Sequence, residues 1–159
     1  MTTSPGTLDD GRPGESRIPP DGQRRRLLLA GLPKPVAHAR AFTAEALDDW
    51  CWSADSYGVD RDLTQDVVLV VAELVANAML HAGGPLELVL DASPSRLRIE
   101  VSDGDASLPA PRRPHRPAQP GGHGLLIVQR TSDRWGAERH ARGKTVWVEF
   151  DAARPAPGR

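Results

Sequence analysis

The chain has 159 residues, a length that suits one domain built around one hydrophobic core. Its 20 basic and 21 acidic side chains leave a net charge of -1, so composition provides no general attraction to nucleic acid or to an anionic membrane. The single cysteine, Cys51, excludes an intrachain disulfide and a zinc site of clustered cysteines, and is typical of a reducing compartment.

Both ends of the chain lack the patterns of a packed structure. Residues 1–26 are rich in Gly, Pro, Asp, Ser and Arg without apolar periodicity, which predicts a disordered tail. Residues 151–159 are Pro-rich and predict a second tail. No segment has the apolar core of a secretory signal or approaches the roughly 18 to 20 apolar residues of a spanning helix, so we expect a soluble, cytoplasmic protein without a membrane partner.

Two helices are predicted after a short first strand. The run LLLAGLP favours a strand that begins at residue 27 and stops at the proline. Residues 34–53 then place apolar side chains at helical spacing. A second helix is predicted to begin near Asp60 or Asp62, where the sequence resembles a capping box, and to end at about Ala82, before Gly83.

The second half of the chain is dominated by strand patterns. Residues 86–90 and 96–102 alternate between apolar and polar side chains, which predicts a β-hairpin. A short helix, GLLIVQRTS, and a terminal hairpin around Gly143 follow. This order predicts an α/β fold for residues 27–150: a two-layer α/β sandwich with helices on one face of a mixed, mainly antiparallel sheet.

A polar stripe lies within the apolar second helix. Glu73, Asn77 and His81 are spaced at i, i+4 and i+8 and therefore share one face. Buried polar groups need partners, so the stripe indicates either a cavity for an ion or ligand, or a helix edge where Asn77 bonds to nearby backbone. In the first case Asn77 offers Mg²⁺ an oxygen ligand, and Glu73 is placed to orient or deprotonate a nucleophile.

Two further segments are candidates for binding a nucleotide. Asp103 follows a strand and precedes a glycine, so it is either part of a turn or a carboxylate that accepts a hydrogen bond from the exocyclic amino group of adenine. The glycine-rich residues 121–125 come before a helix, as a plain junction or as a phosphate cradle. Residues 143–145 (GKT) are not a P-loop, because Glu138 replaces the required first glycine and a strand follows.

Taken in order, these segments resemble the GHKL ATPases over residues 27–150, most closely the anti-sigma-factor serine kinases and related stand-alone actinobacterial regulators. ELVANAMLHA resembles the N-box of that family. The resemblance implies a Bergerat-type ATP-binding fold with ATP and Mg²⁺ as cofactors, Glu73 as catalytic base and Asn77 as magnesium ligand. His81 completes the N-box.

The remaining boxes follow the same resemblance. VSDGD is similar to the first glycine box, which makes Asp103 the adenine reader, and GGHGLLIV is similar to the second, with Gly122, Gly124 and Leu125 near the phosphates. Thr145 matches the threonine near the adenine-binding aspartate. Residues 104–122, which include several arginines, would then form the ATP lid.

One departure from the family pattern leaves two functions open. Asp105 and Ser107 stand where the first box has its other glycines. The first expectation is an anti-sigma-factor-like serine/threonine kinase that phosphorylates an anti-anti-sigma-type domain and thereby regulates transcription. The second is a non-catalytic, ATP-dependent module that sequesters a sigma factor or another regulator. In either case we expect protein partners without direct nucleic-acid contact, and the resemblance allows a homodimer.

Overall fold

The computed structural model describes residues 17–52, 63–81, 83–107 and 122–152. These residues form five strands and three helices. In chain order the elements are β1 (Gln23–Leu28), α1 (Pro35–Asp49), α2 (Leu63–His81), β2 (Pro85–Ala92), β3 (Arg96–Asp103), α3 (Gly122–Thr131), β4 (Arg134–His140) and β5 (Gly143–Asp151).

The sheet has five strands in the order β1-β2-β3-β5-β4. The strand pairs are all antiparallel, so the predicted mixed sheet is in fact purely antiparallel. Both predicted hairpins are present, one joining β2 to β3 and one joining β4 to β5. The predicted two-layer α/β sandwich is therefore confirmed, with the order of strands added by the structure.

The core lies between the helices and one face of the sheet. α2 packs against α1 on one side and α3 on the other, and it contacts β2 and β3. Its valines and leucines are buried at helical spacing, among them Val67, Val71 and Leu74, and meet the buried face of β3 at Ile99 and Val101. By length and composition α2 is also long and apolar enough to cross a membrane, which the sequence analysis did not predict, but the core helix of a soluble protein has the same features.

The N-terminal boundary of the domain differs from the prediction. β1 begins at Gln23, and Ile18 is buried in the core, so residues 17–26 belong to the folded domain rather than to a tail. The arginines of β1 look like solvated charges in the sequence, but Arg25 bonds to Asp49 of α1 at 2.8 Å and Arg26 to Glu87 of β2 at 2.6 Å. The predicted C-terminal tail, residues 151–159, also begins too early, because Asp151 is the last residue of β5. Residues 1–16 and 153–159 lie outside the described part of the chain.

The sheet face away from the helices carries a ladder of charged side chains. Glu149 is only 5 % exposed and lies between Arg96, Arg98 and Arg134, at 3.0, 3.3 and 3.0 Å. The guanidinium of Arg98 also stacks over the ring of Trp147, 4.5 Å from its centroid. This face is thus covered by paired charges and one aromatic ring, whereas the helix face is apolar.

Candidate functional site

The polar stripe of α2 lies at the border of the core. Glu73 and Asn77 are half-buried, His81 is exposed, and the neighbouring Leu74 and Ala78 are buried. Within the described residues, neither the Glu73 nor the Asn77 side chain forms a hydrogen bond or ion pair. Two half-buried polar groups one helical turn apart on the same face are accessible to water or to a ligand.

The end of α2 lies close to the end of β3, because the strand that follows α2 begins beside that end. Gly83 and Gly84 adopt positive φ, and the N–H of Gly84 donates to the carbonyl of Ala78 at 3.0 Å, which ends the helix. β2 then begins at Pro85, which pairs with Asp103. This connection brings the C-terminal turns of α2 and Asp103 to the same end of the sheet, which is called the Asp103 edge below.

Asp103 is a buried carboxylate at that edge. It is only 2 % exposed, although it is the last residue of its strand. Its Oδ1 accepts a hydrogen bond from the backbone N–H of Asp105 at 2.9 Å and one from Lys144 Nζ at 3.1 Å. The predicted adenine reader is therefore held in place on the helix side of the sheet, where α2 also lies.

The residue paired with Asp103 across the sheet is Lys144, and Thr145 is the next residue in the chain. The register pairs Asp103 with Lys144 and Ser102 with Thr145, and successive side chains of a strand point to opposite faces. The Thr145 hydroxyl accordingly lies 2.9 Å from that of Ser102, on the far face of the sheet. Lys144 is buried against Asp103, where sequence reasoning had not placed it.

The start of the predicted lid folds back on this pair. The backbone carbonyl of Asp105 accepts a second hydrogen bond from Lys144 Nζ, at 3.1 Å, and Arg139 Nε donates to the carbonyl of Ala106 at 2.9 Å. The Asp105 carboxylate accepts a hydrogen bond from the N–H of Ser107 at 2.8 Å. Hydrogen bonds from Ser107 lower the pKa of Asp105, and the nearby charge of Lys144 acts in the same direction.

The predicted phosphate-loop residues lie in α3 itself. Gly122 is its first residue, with Gly124 and Leu125 in the first turn, where backbone N–H groups lack helical partners and favour an anion. The other end of α3 leads to Arg134, which pairs with Glu149 far from the Asp103 edge. Residues 108–121, most of the predicted lid, lie outside the described part of the chain.

These residues fit a magnesium nucleotide. The described residues contain no group of three or more His, Cys, Asp and Glu side chains able to hold a metal by themselves. Mg²⁺ ordinarily keeps several waters and binds one or two protein oxygens together with substrate phosphates. The unpartnered Asn77 amide supplies such an oxygen, one helical turn from Glu73, while Asp103 supplies an acceptor for a base.

Comparison with protein families identifies a family to which most of the chain is similar. Residues 31–150, well over half of the chain, match the histidine kinase-like ATPase domain. The matched segment includes α1, α2, α3 and all strands except β1. The comparison with curated proteins finds no match.

Proposed function

Because the chain belongs to the histidine kinase-like ATPase domain family, we propose that it is an ATP-binding regulatory protein that phosphorylates a serine or threonine of a partner protein. The observation that supports phosphoryl transfer is the pair of half-buried, unpartnered side chains on α2, Glu73 and Asn77. A carboxylate one turn from an amide oxygen provides a base and a metal ligand at adjacent positions.

In this proposal each residue has a defined task. Asp103 accepts a hydrogen bond from the 6-amino group of adenine, and Asn77 holds magnesium by its amide oxygen. Magnesium, when bound, supplies positive charge that offsets the charge developing on the phosphates. Glu73 accepts the proton of the partner's hydroxyl while the hydroxyl oxygen bonds to the γ-phosphorus, and the bond from that phosphorus to the bridging oxygen breaks to release ADP.

We further propose that the acceptor is a regulatory domain of the anti-anti-sigma type, that the protein works in the cytoplasm and that it forms a homodimer. These features come from the sequence resemblance. The net charge of -1 is compatible with a protein partner and offers no general attraction to nucleic acid.

A second candidate function is supported by the geometry at the altered first glycine box. The N–H of Asp105 donates a hydrogen bond to the Asp103 carboxylate, and the N–H of Ser107 donates one to the Asp105 carboxylate. Neither backbone donor is then available to a nucleotide phosphate. This favours a module that binds ATP weakly and uses it to order a partner-binding surface without transferring phosphate.

Calorimetry tests nucleotide binding. Purified protein is titrated with ATP, with and without magnesium, and with GTP. We expect ATP binding that requires magnesium, and we expect no binding of GTP. Binding of ATP should be lost in Asp103→Asn, because the NH₂ group of the asparagine would face the amino group of adenine, and both groups are donors. Asp48→Asn, an equal change at an exposed residue of α1, should bind like the wild type. Absence of heat with every nucleotide would refute the proposal.

Transfer of radiolabelled γ-phosphate to an anti-anti-sigma-type domain separates the two candidate functions. We expect Glu73→Gln to lower transfer about 100-fold or more while ATP still binds. Glu45→Gln is the matched control, because Glu45 is exposed on α1. Equal transfer by wild type and Glu73→Gln would exclude Glu73 as the base, and ATP binding without any transfer would favour the non-catalytic module.

A further inference from the structure

Asp103 and Lys144 together present one unused acceptor and one unused donor. Asp103 Oδ1 already accepts two hydrogen bonds, from Asp105 N–H and Lys144, whereas Oδ2 forms none within the described residues. Lys144 Nζ has three N–H groups, and two of them are used by Asp103 Oδ1 and the carbonyl of Asp105. One N–H of Lys144 and one carboxylate oxygen of Asp103 thus remain without a hydrogen-bond partner among the described residues.

We propose that Lys144 is a second base-reading residue, which donates its third N–H to ring nitrogen N1 of adenine while Asp103 Oδ2 accepts a hydrogen bond from the 6-amino group. The inference rests on the proposed function, since it requires that the Asp103 edge binds ATP. It gives Lys144 a task in nucleotide selection in addition to its contact with Asp103.

The structure holds the two groups rigidly enough for this task. The side chains of Lys144 and Asp103 are 8 % and 4 % exposed, so both are largely shielded from water. The carbonyl of Asp105 fixes the ammonium from the loop, and the N–H of the same residue fixes the carboxylate. Arg139 anchors that loop through the carbonyl of Ala106. Because both groups are already in position, ligand binding does not have to order their side chains, and that entropy cost is avoided.

The pair matches adenine and opposes the other common purines. The Watson–Crick edge of adenine offers a donor at the 6-amino group and an acceptor at N1. In guanine and hypoxanthine these positions carry a carbonyl oxygen and an N–H. In the same pose, the carbonyl would face Asp103 Oδ2 and the N–H would face the ammonium of Lys144. Both contacts would then be repulsive, and leaving buried polar groups unpaired is costly.

A purely structural role for Lys144, in which it only neutralises Asp103, makes a different prediction. Such a lysine would stabilise the carboxylate whichever base was bound, and N1 of the base would not matter. The two roles therefore differ in the response to a change of a single atom of the nucleotide, with the protein unchanged.

The deciding experiment is calorimetric titration of the wild-type protein with magnesium and ATP, 1-deaza-ATP or inosine triphosphate. 1-Deaza-ATP keeps the 6-amino group but has a C–H in place of N1. We expect it to bind about tenfold or more weakly than ATP, the loss typical of a hydrogen bond to a charged group, and we expect no binding of inosine triphosphate. Equal affinity for ATP and 1-deaza-ATP would overturn the role of Lys144 and leave the proposed function intact. Failure of ATP itself to bind would instead refute the proposed function.

Lys144→Met supplies an independent check, because methionine retains most of the side-chain length without the N–H donors. We expect the variant to bind ATP more weakly and to bring the ratio of the ATP and 1-deaza-ATP affinities close to one. Lys34→Met, at an exposed position before α1, should keep the wild-type ratio. A folded Lys144→Met protein that retained the wild-type ratio would also contradict the inference.

Discussion

Gly143 packs directly against the backbone of Asp103, and a side chain at residue 143 would collide with the Asp103 carbonyl oxygen and with Gly104. Gly143 also has a φ of 143°, a conformation that residues with side chains rarely adopt. This contact places the first residues of β5, and hence Lys144, at the end of β3. Because of this close packing, the turn between β4 and β5 lies directly beside the candidate site.

The first prediction concerns this contact. Gly143→Ala should lower the free energy of unfolding by about 3 kcal/mol and weaken ATP binding, because Asp103 must move away. Gly31→Ala is the matched control, since Gly31 has a φ of 72° with no atom near the position of the added carbon. That control should cost about 1 kcal/mol and leave ATP affinity unchanged. Similar effects of the two changes in chemical denaturation and calorimetry would contradict the prediction.

The second prediction concerns Gly136 on the charged face. A side chain there would lie 2.7 Å from Cζ2 of Trp147, whose ring is held from another direction by Arg98. Gly136→Ala should therefore cost about 1–3 kcal/mol of stability in urea denaturation. Gly104→Ala has its nearest neighbouring atom at 3.9 Å and should cost clearly less. An unchanged midpoint for Gly136→Ala would mean that the Trp147 ring can shift freely.

The third prediction is a pH dependence that originates at Glu149. Burial by itself would raise the pKa of Glu149, but hydrogen bonds from Arg134 and Arg98 and the charge of Arg96 outweigh it and keep the pKa below the ordinary 4.5. A carboxyl group with a lowered folded-state pKa stabilises the fold at pH values above its unfolded-state pKa. That stabilisation is lost as the pH falls through the folded-state pKa.

Glu149→Gln should accordingly lower the free energy of unfolding by about 2 kcal/mol at pH 7, and the difference from wild type should shrink as the pH falls below about 4.5. Urea denaturation over a pH series provides the measurement. Glu138→Gln, at an exposed position of β4, should have little effect at any pH. A difference between wild type and Glu149→Gln that stayed constant down to pH 2 would exclude this role.

The fourth prediction tests the N-terminal extension of the domain. The indole N–H of the buried Trp50 donates to Gln23 Oε1 at 2.6 Å, and Arg25 lies over the Trp50 ring. Gln23→Ala should cost about 1–2 kcal/mol, because the buried indole loses its acceptor. Gln129→Ala, at an exposed position of α3, should cost less than half as much. If thermal denaturation found equal costs, β1 would contribute little to the stability of the domain.

Much of the fold could be predicted because its signals are local. The 3.6-residue period of α2 placed Glu73 and Asn77 on one stripe, and alternation located both hairpins. β1 was assigned to a tail in part, because the partners of its arginines lie far away in the sequence, at Asp49 and Glu87. Charge alone does not distinguish a solvated run from an edge strand whose side chains pair with neighbouring elements.

The candidate site was predicted less completely, because its details depend on strand register. A shift of one residue reverses the faces of a strand, and motif matching could not tell whether Lys144 or Thr145 faces Asp103. The signal that could have decided it is the alternation along β5, because Lys144 is in phase with the buried Val146 and Val148 and Thr145 is not. Likewise, the bonds of Asp105 to Asp103 and Lys144 require the folded loop.

The place of Asp103 within the sheet has a consequence for the order in which parts of the domain open. β3 is the middle strand, with β2 and β5 on its two sides, so exposing its amides to exchange with solvent requires the loss of two ladders of hydrogen bonds. Edge strands such as β1 and β4 have one ladder each. We therefore expect the amides of β3, which leads to Asp103, to exchange more slowly than those of the edge strands.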